Sequence, residues 1–185
     1  MKAPRRVVTN TDALGRAVFI SDGPAPRSHA YTSLAPMRTT IVWATDAAAR
    51  PDGTDPTVQL TRDIPSFGET RLVFVTFPPD AVFARPDLDP AAVEADNHAA
   101  TPMLAELFEP ENPGMHRSPT IDYAIVLDGE IVLELDDGQQ TRLRRGDVVV
   151  QNATRHRWSN PTDQPCTIAY TWIGIGSDVS TAQDR

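Results

Sequence analysis

From residue 122 onward, short apolar runs alternate with compact polar turns in the series DYAIVLDG, EIVLELDDG, QQTRLRRGD, VVVQN, RHRWSN and CTIAYTWIGI. Strands this short, closed off by DG, DDG, GD and NPTD turns, predict an antiparallel sandwich or barrel, because closing or covering a sheet removes its exposed edges. Upstream, RLVFVTF at 71–77 is almost wholly β-branched or aromatic, as a strand buried on both sides would be, and Pro78 and Pro79 stop it. TTIVWA at 39–44 reads as another strand, and 5–9 with 17–20 reads as an edge hairpin around a polar turn at 10–15. Residues 47–57, AAARPDGTDPT, are too polar and too broken by Pro and Gly to order through their own packing, and a mobile loop is expected there. Asp89 before Pro90 and Thr101 before Pro102 each set an N-cap ahead of a first-turn proline, which predicts short helices at 90–97 and 102–108. In the second, Met103, Leu104, Leu107 and Phe108 make one apolar face, read as packing on the sheet in preference to a substrate lid.

The expected fold class is therefore all-β: an antiparallel β-sandwich or barrel with an N-terminal strand extension and one or two short helices. Residues 1–69 are read as strands and loops packing on the barrel, 70–176 as the barrel, and 177–185, which are small and polar, as a flexible tail. At 185 residues the chain suits one compact domain with an extension, since a single core usually organises about 100–200 residues. A net charge of -8 argues against a surface built for phosphate backbones or anionic lipid, so no nucleic acid and no membrane partner is expected. The single cysteine, Cys166, cannot form an intrachain disulfide; with no signal-like apolar stretch after MKAPRRVV, a soluble cytoplasmic protein is expected.

Three side chains carry the candidate chemistry. His116, Ser118 and Asp122 share parity, and residues two apart in a strand point to one face, so an extended segment would aim all three into one cavity. His156 follows the VVVQ strand across one further turn, where a barrel brings neighbouring strands side by side. Two imidazoles and a carboxylate on one face are the ingredients of a 2-His-1-carboxylate metal site with open coordination positions. Each has a plainer reading: His116 as a surface residue, Asp122 as a strand-entry cap or a partner of Arg117 or Arg155, and His156 with Trp158 as a packed wall. Tyr123, Gln151 and Trp158 are expected beside Ser118 in the pocket. Glu109 and Glu111 precede the site and would serve as general bases if burial raised their pKa. Arg142, Arg144 and Arg145 are expected to face solvent on an outer strand, and Cys166 to pack in the core.

These motifs resemble the cupin superfamily. His116 falls on the first histidine of its first motif, Ser118 on the second, Asp122 on the usual glutamate and Gly129 on the turn glycine; Gly146, residues 147–150, His156 and Asn160 match the second motif. The chain departs from the pattern at Ser118, at the shorter Asp122, and at 151–154, which replace the usual proline and glycine turn. The whole chain is similar to a cupin type-2 group of single-domain, mostly unassigned bacterial and fungal members. The resemblance implies a jelly-roll barrel and a homodimer. It also implies a small organic molecule as substrate and a divalent metal (Fe, Mn, Zn or Ni) held by His116, Asp122 and His156, for oxygenase, isomerase or lyase chemistry. Two alternatives stand beside this. One is a metal-free lyase, a dehydratase or decarboxylase of secondary metabolism in which Asp122 and a histidine move protons; the other is a cupin that only binds a small ligand.

Overall fold

A computed structural model describes residues 2–176. The described residues form eleven strands: β1 (Arg5–Thr11), β2 (Ala17–Pro24), β3 (Arg27–Ala30), β4 (Arg38–Thr45), β5 (Thr70–Phe77), β6 (Thr120–Asp128), β7 (Glu130–Glu134), β8 (Gln140–Arg144), β9 (Val148–Asn152), β10 (Arg157–Ser159) and β11 (Cys166–Gly174). Two helices, α1 (Pro90–Ala100) and α2 (Pro102–Ala105), separate β5 from β6. The strands make a six-stranded sheet in the order β3-β4-β5-β11-β6-β9, a three-stranded sheet in the order β10-β7-β8, and the separate hairpin β1-β2. Every pairing is antiparallel. The tail expected at 177–185 lies outside the described residues.

The two larger sheets enclose one core. Val73 and Val75 of β5, Ala124 and Val126 of β6, Ile131 and Leu133 of β7, Leu143 of β8 and Ile168 of β11 pack in a single cluster. Ile131 and Ile168 are fully buried, and burying a side chain of that size contributes about 1.5–3 kcal/mol. Cys166 is also fully buried, and burial pushes its thiol up to about 12, so it acts as an apolar filler. Arg142 and Arg144 lie exposed on β8 and pair with Glu130 across the sheet. Gly129 joins β6 to β7 with φ +77, and a Cβ there would lie 2.6 Å from the Pro165 carbonyl oxygen. Both the left-handed backbone and the close approach require glycine.

The polar segments outside the barrel are tied down by named ion pairs and caps. Arg6 of β1 pairs with Asp55, donates to the Val42 carbonyl and stacks over Trp43, so the 47–57 loop is held from outside itself. Asp89 caps α1 by accepting from the Ala91 amide. Thr101 makes no such cap for α2, which is shorter than expected: the buried Asp63 carboxylate accepts from the Met103 and Leu104 amides instead. Asp96 of α1 is buried and accepts from His29, Thr32 and Ser33. Burial opposes its ionisation, but the Ser33 and His29 donors outweigh that and bring it down to about 2. This contact fixes α1 and the β3–β4 connection against each other. No helix among the described residues is long and apolar enough to cross a membrane.

Candidate functional site

One end of the barrel interior is hollow. A cavity of about 570 Å³ is lined by His116, Ser118, Thr120, Asp122, His156, Trp158, Tyr170 and Trp172 from the barrel. Leu104 and Phe108 from the α2 region and Tyr31, Leu34 and Met37 from the β3–β4 connection complete much of its apolar wall.

Strand parity positions the acidic side of the site. His116, Ser118, Thr120 and Asp122 are all buried, while Arg117, Pro119 and Tyr123 between and beyond them are exposed. The alternation runs through Pro119, which sits on the outward-facing parity. The histidines meet for a different reason. His116 and His156 form an isolated antiparallel bridge, exchanging both backbone hydrogen bonds at 3.0 and 2.9 Å. Cross-strand partners of this kind project to the same face, and the two rings stand 4.4 Å apart between centroids. Phe108 packs edge-on against His116 at 4.9 Å, and Trp158 edge-on to His156 at 6.1 Å.

Each imidazole is anchored through Nδ1, His116 at 3.1 Å from the Gly114 carbonyl and His156 at 2.9 Å from the Thr154 carbonyl. A carbonyl only accepts, so Nδ1 carries the proton and Nε2 keeps its lone pair. Burial lowers the pKa of both rings. For His156, the charge of His116 adds to burial and brings it down to about 4. Asp122, 4% exposed, is moved the opposite way: burial pushes its carboxyl up to about 6, with the Thr120 hydroxyl partly offsetting this. Ser118 Oγ lies 2.7 Å from Thr120 Oγ1. Either hydroxyl can donate in that pair, and the Thr120 hydroxyl also eases the ionisation of Asp122. Asp122 Oδ1 has no hydrogen-bond partner.

The expected three-ligand metal set does not assemble. Among the described residues, no three His, Cys, Asp or Glu side chains are grouped closely enough to hold a metal ion. The imidazole pair would supply two donors. Asp122, one methylene shorter than the glutamate of the common pattern, is associated with Thr120 and Tyr170, and the Ser118 hydroxyl is committed to Thr120.

Other expected site residues also resolve. Trp158 lines the cavity. Tyr123 does not: it has the opposite parity to Asp122 and is 47% exposed on the outer face of β6. Gln151 pairs directly with Asp122 and is buried, but its amide donates to Thr154 and it is not in the cavity wall. Glu109 is not poised as a base. Hydrogen bonding to Arg155 lowers its pKa, while Glu111 is exposed. Arg155 is shared between Glu109 and Asp136, which leaves Asp122 without a guanidinium. Sequence reasoning missed Thr120, Tyr170 and Trp172. The signal was present in CTIAYTWIGI, where Cys166, Ile168, Tyr170 and Trp172 share one parity and place a phenol on the buried face.

The family model for the cupin domain matches residues 106–174, a span that includes His116, Asp122, His156 and the strands from β6 to β11. The chain carries a cupin domain. Part of the chain is 59% identical, over 46 residues, to the phomopsin biosynthesis cluster protein C' of Diaporthe leptostromiformis, which is 25% of this chain and 24% of that protein. It is 50% identical over 52 residues to the cupin-domain-containing oxidoreductase srdD of Neurospora crassa, covering 28% of this chain and 26% of that one. The matched segments thus span about a quarter of the length of these relatives. A cupin 2 conserved barrel domain protein from Salinispora arenicola overlays 56% of this cupin chain and 62% of its own, at 16% identity and a TM-score of 0.34.

Proposed function

We propose that this cupin is an enzyme of secondary metabolism that moves a proton on a small organic molecule without a resident metal, in the manner of a lyase or isomerase. The observation that carries the proposal is Asp122. A carboxyl buried in a cavity wall, with one oxygen unpartnered and a pKa pushed up to about 6, is suited to general acid–base work at neutral pH. At neutral pH it is largely ionised and accepts the proton, and the raised pKa lets it return that proton readily. The Nε2 lone pairs of His116 and His156 would accept hydrogen bonds from a donor group of the substrate and orient it. Their lowered pKa keeps them neutral, so they do not compete for the substrate's proton. Biosynthesis-cluster and oxidoreductase names among the relatives support the setting in secondary metabolism.

The test starts with ligands recovered from the purified protein or from a metabolite panel, identified by mass spectrometry, and turnover is then measured before and after dialysis against a chelator. Turnover should survive dialysis, and Asp122→Asn should reduce it by about 100-fold or more. Loss of turnover on dialysis, restored by one divalent ion, would sink the metal-free reading.

A further inference from the structure

Tyr170 sits on the inner face of β11 at 5% exposure, lines the cavity, and has no partner for its hydroxyl. A buried phenol normally finds a partner, because an unmade hydrogen bond in an apolar wall is costly. Asp122 Oδ1 on the neighbouring strand is a second such atom. Tyr170 pairs with Ala124 and Asp122 with Trp172, so Tyr170 and Asp122 are diagonal neighbours on one face of the sheet. They are not hydrogen-bonded to each other, although both border the same hollow.

The rest of the wall defines what could bridge them. Leu34, Ile64, Phe77, Phe108, Trp158 and Trp172 make it largely apolar and aromatic. Among its other charged residues, Asp80 accepts from Ser159 and from the Asn160 amide, and Arg157 pairs with Glu134 through Nη2 at 2.8 Å while its buried Nε has no partner. An anionic group placed near Asp122 would therefore meet a carboxylate, and the wall's guanidinium, Arg157, already carries the charge of Glu134. A hydroxyl group fits both orphaned atoms, because it accepts one hydrogen bond and donates another.

We propose that Asp122 and Tyr170 form a two-point anchor for one hydroxyl or enol group on an uncharged, largely apolar aromatic substrate. The Tyr170 hydroxyl donates to the substrate oxygen, and the substrate O–H donates to Asp122 Oδ1. This rests on the reading that Asp122 meets its substrate in this cavity, and it adds the substrate class and a second binding residue.

Isothermal titration of the full chain at neutral pH with naphthol, naphthalene and naphthoate tests the anchor. Naphthol is expected to bind ~10-fold or more tightly than naphthalene, because a site built to hydrogen-bond a hydroxyl rejects the analogue lacking it. Naphthoate is expected to bind most weakly. Tyr170→Phe should leave naphthalene affinity in place and remove most of the preference for naphthol. Equal binding of naphthol and naphthalene, tightest binding of naphthoate, no binding of any of the three, or a full naphthol preference in Tyr170→Phe would each overturn the proposal. The wild-type series decides the matter even if the variant folds poorly. The acid–base reading fails separately: if Asp122→Asn keeps full turnover while the naphthol preference stands in the wild type, the catalytic role is lost and the anchor remains.

Discussion

The two faces of β6 invert the usual arrangement. Inward, Thr120 and Asp122 bring polar groups into the barrel before Ala124 and Val126 continue as core; outward, Tyr123, Ile125 and Leu127 are apolar and exposed. The neighbouring edge strand repeats the outer pattern with Val148 and Val150, which pair with Ile125 and Tyr123. Polar residues facing inward are costly unless they are used, and exposed apolar residues on an edge strand invite a partner. The inner inversion marks the cavity, and the outer one marks a surface.

Truncating an isoleucine on each face measures how different they are. Ile168→Ala, on the buried face of β11 against Val126, is expected to cost about 2–5 kcal/mol in denaturant unfolding, since it leaves a cavity in a packed core. Ile125→Ala, 41% exposed, should stay within about 0.5 kcal/mol for an isolated chain. A large cost at Ile125 that grows with protein concentration would show that the outer face is covered in solution.

The polar end of the inner face should be visible in the pH dependence of stability. Asp122 has its folded pKa raised from 3.8 to about 6, so the folded state holds the extra proton and stability from this group falls as pH rises through that window. His156 has its folded pKa lowered from 6.5 to about 4, so the unfolded state holds the extra proton and stability from this group falls as pH drops from 6.5 to 4. Between about pH 4 and 6 the two oppose each other. Each shift corresponds to roughly 3 kcal/mol. Asp122→Asn should therefore be more stable than wild type at neutral pH and should lose stability more steeply on acidification. His156→Gln removes a penalty that is absent at neutral pH, so its stability relative to wild type should rise as the pH falls from 6.5 to 4. Urea titrations at several pH values check this, and parallel profiles for all three proteins would refute it.

How far this inversion could be read beforehand depends on range. The parity from His116 to Asp122 and the turn-bounded strands from β6 to β11 are local patterns, and the sequence carries them openly. Gly129 and Gly146, both at positive φ, were similarly legible as turn glycines. Tyr123, expected in the pocket, follows the same parity rule, which sends it outward. The distant contributions were not legible. Asp63 capping α2, Asp96 holding the β3–β4 connection and Arg6 holding Asp55 join residues 40 to 67 positions apart, and no local period encodes such pairs. α2 starts at Pro102 as expected but ends at Ala105, where the Leu107 and Phe108 amides turn back to the carbonyls of Leu104 and Ala105 three residues earlier. Metal ligation is expected from residue types, but whether three donors converge depends on side-chain reach, and among the described residues no three such side chains are grouped closely enough to hold an ion.

That shortfall can be repaired on the inner face. Ser118 shares the buried parity of His116, and both imidazoles keep Nε2 unprotonated. Ser118→His adds a third nitrogen donor at the position where the common cupin pattern carries one. The variant is expected to retain zinc through dialysis, measured by atomic absorption, and to show a rise in melting temperature with added zinc. The wild type should retain far less than one ion per chain. A wild type that keeps one ion per chain through the same dialysis would show that the three-ligand site closes in solution.

The smallest change in the folded chain itself is expected on the outer face, where the consequence is assembly. Tyr123, Ile125, Val148 and Val150 form a contiguous apolar patch across β6 and the edge strand β9, and the same chain exposes Val7, Phe19 and Ile20 on its separate hairpin. We place the expected homodimer contact on the β6–β9 face, because an unpaired edge with apolar neighbours is the surface most stabilised by a second copy. Light scattering at micromolar concentration should return twice the chain mass for the wild type. Ile125→Asp puts a charge at the centre of the patch without touching the core, so it should return the single-chain mass while leaving the circular dichroism spectrum and naphthol binding unchanged. A monomeric wild type, or a dimer that survives both Ile125→Asp and Val148→Asp, would move the contact elsewhere and leave the outer apolar stripe without this role.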